Sequence, residues 1–172
     1  MKTLIMLVHL YGKWRLIQCN EMGRRKIMGN IKHIYKMLNW KNPSKIQLEG
    51  IRLAKQIDDL SLLICPPAEP SVWEHCADIL CDKSDDVLEP YINSLLEWLQ
   101  DLNWPGALAI LNRLKAFSGK KLKMPFLKCV ERADELYKKD GTMWIVYLSE
   151  LLDNEDLKAE LPKEILNKLQ NI

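Results

Sequence analysis

From Met28 onward, apolar residues recur at helical and almost never at alternating spacing, and this regularity limits the chain to an all-α fold. Ile31, Ile34, Tyr35 and Leu38 stand at i, i+3, i+4 and i+7. Asn42-Pro43 reads as a helix start, with Asn capping and Pro in the first turn, and the stripe Ile46/Leu48, Ile51, Ala54, Ile57 and Leu60 follows. Three prolines within Cys65–Pro70 remove backbone donors and impose a loop. Ser71-Val72-Trp73-Glu74 has the form of a capping box ahead of Cys76, Ile79 and Leu80. Ser84 or Asp86 begins the next helix, Pro90 is tolerable in its first turn, and Tyr91, Leu95, Trp98, Leu99 and Leu102 complete its stripe. Further helices are predicted at about 104–117, 124–139, 142–153 and 162–170, punctuated by Gly119, Gly141 and Pro162.

The helices also compare with one another. Trp73 is followed at +3, +4, +6 and +7 by Cys76, Ala77, Ile79 and Leu80. Trp104 is followed at the same offsets by Ala107, Leu108, Ile110 and Leu111, and Trp144 by Tyr147, Leu148, Glu150 and Leu151, so that one position of the last set fails. Spacings of this length suit stacked antiparallel helical hairpins of the HEAT-like kind, with an irregular helix bundle as the alternative. Trp73, Trp98 and Trp144 are expected to be buried, each anchoring one helical pair. At 172 residues the chain is long enough to bury a core without a disulfide or metal. Its five cysteines are odd in number and irregular in spacing, which fits a reducing, cytoplasmic setting.

Residues 1–27 stand apart. The run Leu4–Tyr11 is far too short to span a bilayer, and no signal-type cleavage site follows it. The segment reads as a basic, loosely attached N-terminal extension of a single helical domain, 28–172; a basic surface-seeking helix is the other reading, and the only route by which a membrane partner is expected.

Charge is segregated beneath a formal net of +2. Residues 1–58 hold twelve Lys/Arg against three Asp/Glu, whereas residues 59–104 hold ten acids against Lys83 alone. Such a chain either pairs its own halves or turns an acidic surface toward a basic partner.

The densest motif is Leu95-Leu96-Glu97-Trp98-Leu99-Gln100-Asp101-Leu102-Asn103-Trp104-Pro105-Gly106-Ala107. It resembles a signature of small bacterial all-helical proteins grouped as domain of unknown function 5071, in which an LLEW-QD-NWP-A string joins two helices. The resemblance extends from Trp73 to Leu114 and implies an all-helical fold, but brings no active site to carry over. Much of the string has a purely structural reading: Trp98, Leu99 and Leu102 face inward with Leu95, Asn103 caps the next helix, and Trp104 packs back across the hairpin. What remains is a surface. Glu97, Gln100, Asp101 and Trp104 fall at i, i+3, i+4 and i+7, so with Asn103 they form a candidate partner-binding edge for a basic or amphipathic protein, provided the helix runs that far.

Motifs for other chemistry are scarce. His75, Cys76 and Cys81 are close in sequence, but neighbouring and five-apart helix positions do not converge on one ion, and no paired metal-ligand motif occurs. No metal, cofactor or catalytic residue is therefore assigned. Two alternatives stay open: a DNA-binding or DNA-repair-like helical-repeat protein, or an enzyme using the Glu97 and Asp101 carboxylates. A nucleic-acid partner is disfavoured because the bases are not gathered in an aromatic-interleaved stripe. The leading expectation is a non-catalytic bacterial protein that binds another protein, in an immunity-like or regulatory role.

Overall fold

Ile31, Ile34, Tyr35 and Leu38 all turn inward from the first helix, α1 (residues 30–38), as their spacing predicts. The computed structural model describes residues 30–66 and 68–172; the extension and surface-helix readings of residues 1–27 lie outside the described residues. Helices α2 (Ser44–Ala54), α3 (Trp73–Cys81), α4 (Asp85–Leu88), α5 (Ile92–Trp98), α6 (Ala107–Lys115), α7 (Gly119–Asp140), α8 (Trp144–Ser149), α9 (Glu155–Glu160) and α10 (Lys163–Gln170) follow. Short 3-10 turns at Leu60–Leu63, Pro70–Val72, Glu89–Tyr91 and Glu150–Asp153 link several of them. Among the described residues there is no strand, and the fold is all-α. One hydrophobic cluster runs from Ile31 to Leu169.

Two packing units dominate. α3 lies against α6 and α2, and the long α7 takes α5, α8 and α9 along its length. α7 begins at Gly119, five residues earlier than predicted, and carries Pro125 inside it. A proline normally marks a helix start because it lacks a donor and crowds the preceding turn. Here Leu122, Phe126, Cys129, Val130 and Ala133 form one buried face, and that burial holds the helix through the proline. Gly119 faces the backbone of α9: an added Cβ would lie 2.2 Å from the Asp156 carbonyl carbon and 2.3 Å from the Leu157 nitrogen. Alanine at an ordinary helix position gains about 1 kcal/mol over glycine. Gly119→Ala is expected to do the opposite, losing roughly 1–3 kcal/mol because backbone must move; urea unfolding gives the sign directly.

Several predicted caps are not formed. Asn42 does not cap α2; its Nδ2 donates to the Lys36 and Met37 carbonyls (2.6 and 3.2 Å), so it closes the end of α1. Pro43 takes the position before α2. The Ser71/Glu74 box is absent, because Ser71 sits in a 3-10 turn and α3 starts only at Trp73. In the Ile46/Leu48 stripe, Ile46 and Leu48 face solvent, while Ala54 and Leu60 are buried. The helix over 142–153 tightens to 3-10 geometry after Ser149, and α9, which the apolar spacing misses, follows it.

Among the described residues, five of the ten acids in residues 59–104 pair with bases elsewhere in the chain. Asp82 meets Lys55 (2.7 Å), Asp86 and Glu89 meet Lys121, and Glu97 meets Arg132 (2.5 Å). Asp85 accepts from Arg113 (2.6 Å) and from the Ser118 N–H (2.8 Å), tying the start of α4 to the junction between α6 and α7. Burial would raise the Asp85 carboxyl, but those hydrogen bonds and the charges of Arg113 and Lys121 outweigh it and hold the group below the ordinary carboxylate range. A depressed folded-state value contributes stability above the unfolded pKa, about 3.9, that is lost as pH falls through the folded value. Asp85→Asn is therefore expected to flatten the acid limb of a stability–pH curve and leave its alkaline limb unchanged.

Candidate functional site

α5 ends at Trp98, so the helical edge imagined for Glu97, Gln100, Asp101 and Trp104 does not exist as such. The chain instead turns through 99–106 and brings three of those residues together by another route. Glu97, Gln100 and Trp104 line a pocket of about 320 Å³ with Ser61, Ile64, Cys65, Ser94 and Trp98. Ser61, Ile64 and Cys65 come from the segment ahead of the prolines, of which only Cys65 belongs to the predicted loop.

Trp98 and Trp104 line this pocket, and Trp73 packs against both of them. Trp98 is fully buried and its Nε1 donates to the Pro105 carbonyl (3.3 Å). Trp73 stands edge-on to both Trp98 and Trp104, with ring centroids 6.1 and 5.7 Å apart. Trp73 is half-buried, not buried as predicted, because its Nε1 reaches out to the Pro66 carbonyl (3.1 Å). Trp144 is buried and donates to the Leu96 carbonyl (3.1 Å). Gly106 makes the turn possible: its φ is +80°, and a Cβ there would lie 2.5 Å from Ala77 Cβ. This left-handed glycine, not Asn103, precedes α6.

Asp101 and Asn103 serve the turn. Asp101 Oδ1 accepts from the Asn103 backbone N–H and from its Nδ2, both at 2.9 Å. Neither residue lines the pocket, and the Glu97/Asp101 pair expected of an acid–base site is split between pocket and turn. Among the described residues Glu97 alone brings a carboxylate to the pocket, and its Oε1 is held by Arg132 of α7. Arg132 also lies over the Trp144 ring, 5.6 Å from the centroid. Cys65, which also lines the pocket, has a φ of +39°, a backbone geometry uncommon outside glycine. Such strain gathers where local geometry matters to a site. Cys65 was missed as a site residue; its only signal was its place ahead of Pro66-Pro67.

Burial, and secondarily the charge of Glu97, push the Cys65 thiol up to about 12. The thiol is therefore an apolar wall group, with almost no thiolate at neutral pH. At pH 8, Cys65 is expected to alkylate at least roughly 100-fold more slowly than an unperturbed cysteine; peptide mapping after timed iodoacetamide treatment measures it. Among the described residues no group of three His, Cys, Asp or Glu side chains could hold a metal ion. His75 Nε2 is bonded to Gln47 Oε1 (2.7 Å) and Cys81 Sγ faces the Ala109 carbonyl (3.4 Å). Among the described residues no helix is long and apolar enough to cross a membrane.

Residues 74–172 match the model of a family described as Domain of unknown function (DUF5071), more than half of the chain. No curated protein and no solved structure gives a significant match.

Proposed function

The chain belongs to the DUF5071 family, and we propose that it acts as a non-catalytic bacterial protein that binds a basic protein partner through the Trp104–Glu97 pocket. The observation that carries this reading is the Arg132–Glu97 contact at the pocket edge. An arginine already fits against Glu97 beside the tryptophans, and its side chain is 59% exposed. A partner arginine or lysine replaces Arg132 on Glu97 and gains the face of Trp104, where carboxylate and indole act together. Gln100 supplies a further polar contact, and Asp101 and Asn103 fix the turn that presents Trp104. Arg132 remains over Trp144 when released.

The partner thus meets one aromatic anchor and one carboxylate, the arrangement by which a few residues carry most of an interface's affinity. The packing of the consecutive helices α7 and α8, and the position of Trp73 and Trp144 at helix starts, support the HEAT-like hairpin reading. The free thiols Cys65, Cys76, Cys81 and Cys129 suit a cytoplasmic setting, and an immunity-like or regulatory role suits a small helical protein of this kind.

Copurification at physiological salt tests the proposal: the partner recovered with the native chain is expected to be lost with Glu97→Gln and with Trp104→Ala, the fold of each variant being checked by circular dichroism. A partner retained by both variants contradicts it.

A further inference from the structure

We infer that the corner between α1 and α2 is a second, independent surface that docks on an anionic phospholipid bilayer. Residues 30–48 contain Lys32, Lys36, Lys41 and Lys45 and no Asp or Glu. All four lysines are exposed, and among the described residues none of them forms an ion pair. Lys115, Lys121, Lys123 and Arg132 of the C-terminal half, by contrast, are each held by acids.

Large apolar side chains interleave with these lysines. Trp40 is 45% exposed in the turn joining the helices, and Leu48 is 65% exposed on α2. Lys32 and Lys36 lie one turn apart on α1, and Lys45 and Leu48 stand at i and i+3 on α2, so both stripes lead to the turn that carries Trp40 and Lys41. That turn is fixed. The Trp40 N–H donates to the Ser71 carbonyl (3.2 Å), the Trp40 carbonyl accepts from Gln47 (3.1 Å), and Asn42 ties it to the end of α1. Two acids border the patch: Glu49, one turn beyond Lys45 on α2, is bonded to Arg52, and Glu69 sits against Asn39 and Ser71.

The combination selects lipid over nucleic acid. Indole rings and leucine side chains partition into the headgroup boundary, and lysines lie along apolar surface with the ammonium at the phosphates. A phosphodiester backbone has no use for an exposed Leu48, and readout of bases favours arginine, which residues 30–51 lack. Among the described residues, Arg52 on α2 is bonded to Glu49. Docking is peripheral.

Cosedimentation of the full chain with vesicles tests it, using phosphatidylcholine alone and with phosphatidylglycerol, and duplex DNA as a competitor. Binding to the anionic vesicles only is expected, weakening with salt. Each lysine near such a surface is worth about five-fold in partitioning, so Lys41→Gln with Lys45→Gln should lower it roughly twenty-fold. Trp40→Ala and Leu48→Ser should each weaken it further, and DNA should not compete. Vesicle binding unchanged by these substitutions belongs to another part of the chain and overturns the inference, as does an absence of vesicle binding. DNA binding that is lost with the lysines but indifferent to Trp40→Ala and Leu48→Ser assigns the patch to nucleic acid and overturns it equally. Trp104→Ala leaves every one of these results unchanged, which keeps the two surfaces separable.

Discussion

Trp98→Ala is expected to destabilise the protein by about 3–5 kcal/mol, the usual cost of emptying a fully buried aromatic site. The ring is completely inaccessible, it meets Trp73 edge-on, and its N–H is bonded across the turn to Pro105. Truncation opens a cavity between α5 and the 99–106 turn and leaves the Pro105 carbonyl without its partner. For a chain of this size each kcal/mol moves the melting temperature by roughly 2–4 °C, so a fall of about 10 °C or more is expected by differential scanning calorimetry. Trp73→Ala, at a half-buried site, should cost clearly less. A Trp98→Ala protein that melts within a degree or two of the parent would mean that the Tyr91–Leu102 stripe is not the core of this fold.

Asn154→Ala should be nearly as severe, at roughly 3 kcal/mol, although it removes only a small polar side chain. Asn154 is buried, and it works in two directions at once. Its Oδ1 accepts from the Leu157 N–H (2.9 Å), capping α9, while its Nδ2 donates to the carbonyls of Leu114 and Phe117 (3.0 and 2.8 Å) at the end of α6. A lost cap costs about 1 kcal/mol and each stranded buried carbonyl about 1–3 kcal/mol, with partial relief from water. Asn154→Asp keeps the cap but turns a carboxylate toward two carbonyls. Its deficit at neutral pH is expected to shrink on acidification, as the protonated carboxyl recovers one donor. Urea midpoints of both variants at pH 7 and pH 4.5 give this contrast, and equal deficits at the two values would sink it.

The inward faces of α1, α3, α5 and α6 are legible in the sequence because each repeats over two turns or more, and burial then follows periodicity. Ile31 to Leu38, and Leu95 with Trp98 and Leu99, are buried as their spacing predicts. Leu48 escapes that rule because α2 meets its neighbours through Gly50 and Ala54, which leaves Ile46 and Leu48 on the outside. α9 offers too few apolar positions for a period, yet Asn154-Glu155-Asp156 is a recognisable helix start, with a capping side chain followed by two acids in the first turn. The caps assigned to Asn42, Ser71 and Asn103 fail for one shared reason. A polar residue beside a helix can bond either to that helix or to the chain preceding it, and only tertiary packing decides.

The candidate site was half legible. Glu97, Gln100 and Trp104 do come together, but through a turn and not a helix edge, while Asp101 and Asn103 belong to that turn. Ile64 and Cys65, which also line the pocket, lie more than thirty residues away in sequence, and local pattern carries no information about such a partner. The charge segregation is real, and half of it is answered internally: Lys55, Arg113, Lys121 and Arg132 pair with Asp82, Asp85, Asp86, Glu89 and Glu97. Recognition is assigned to one of these paired carboxylates, Glu97, beside tryptophan.

That claim is tested most directly by titrating the isotopically labelled protein with a short arginine-containing peptide and following the tryptophan indole N–H resonances. The account predicts a saturable shift of the Trp104 indole signal, a smaller one for Trp73 through their edge contact, and a change at the Arg132 side chain as it leaves Glu97. Glu97→Gln should abolish the response, whereas Asp101→Asn should preserve it. A Trp104 signal indifferent to the peptide, or a shift of the same size in Glu97→Gln, would contradict the assignment of this pocket as the partner's binding site.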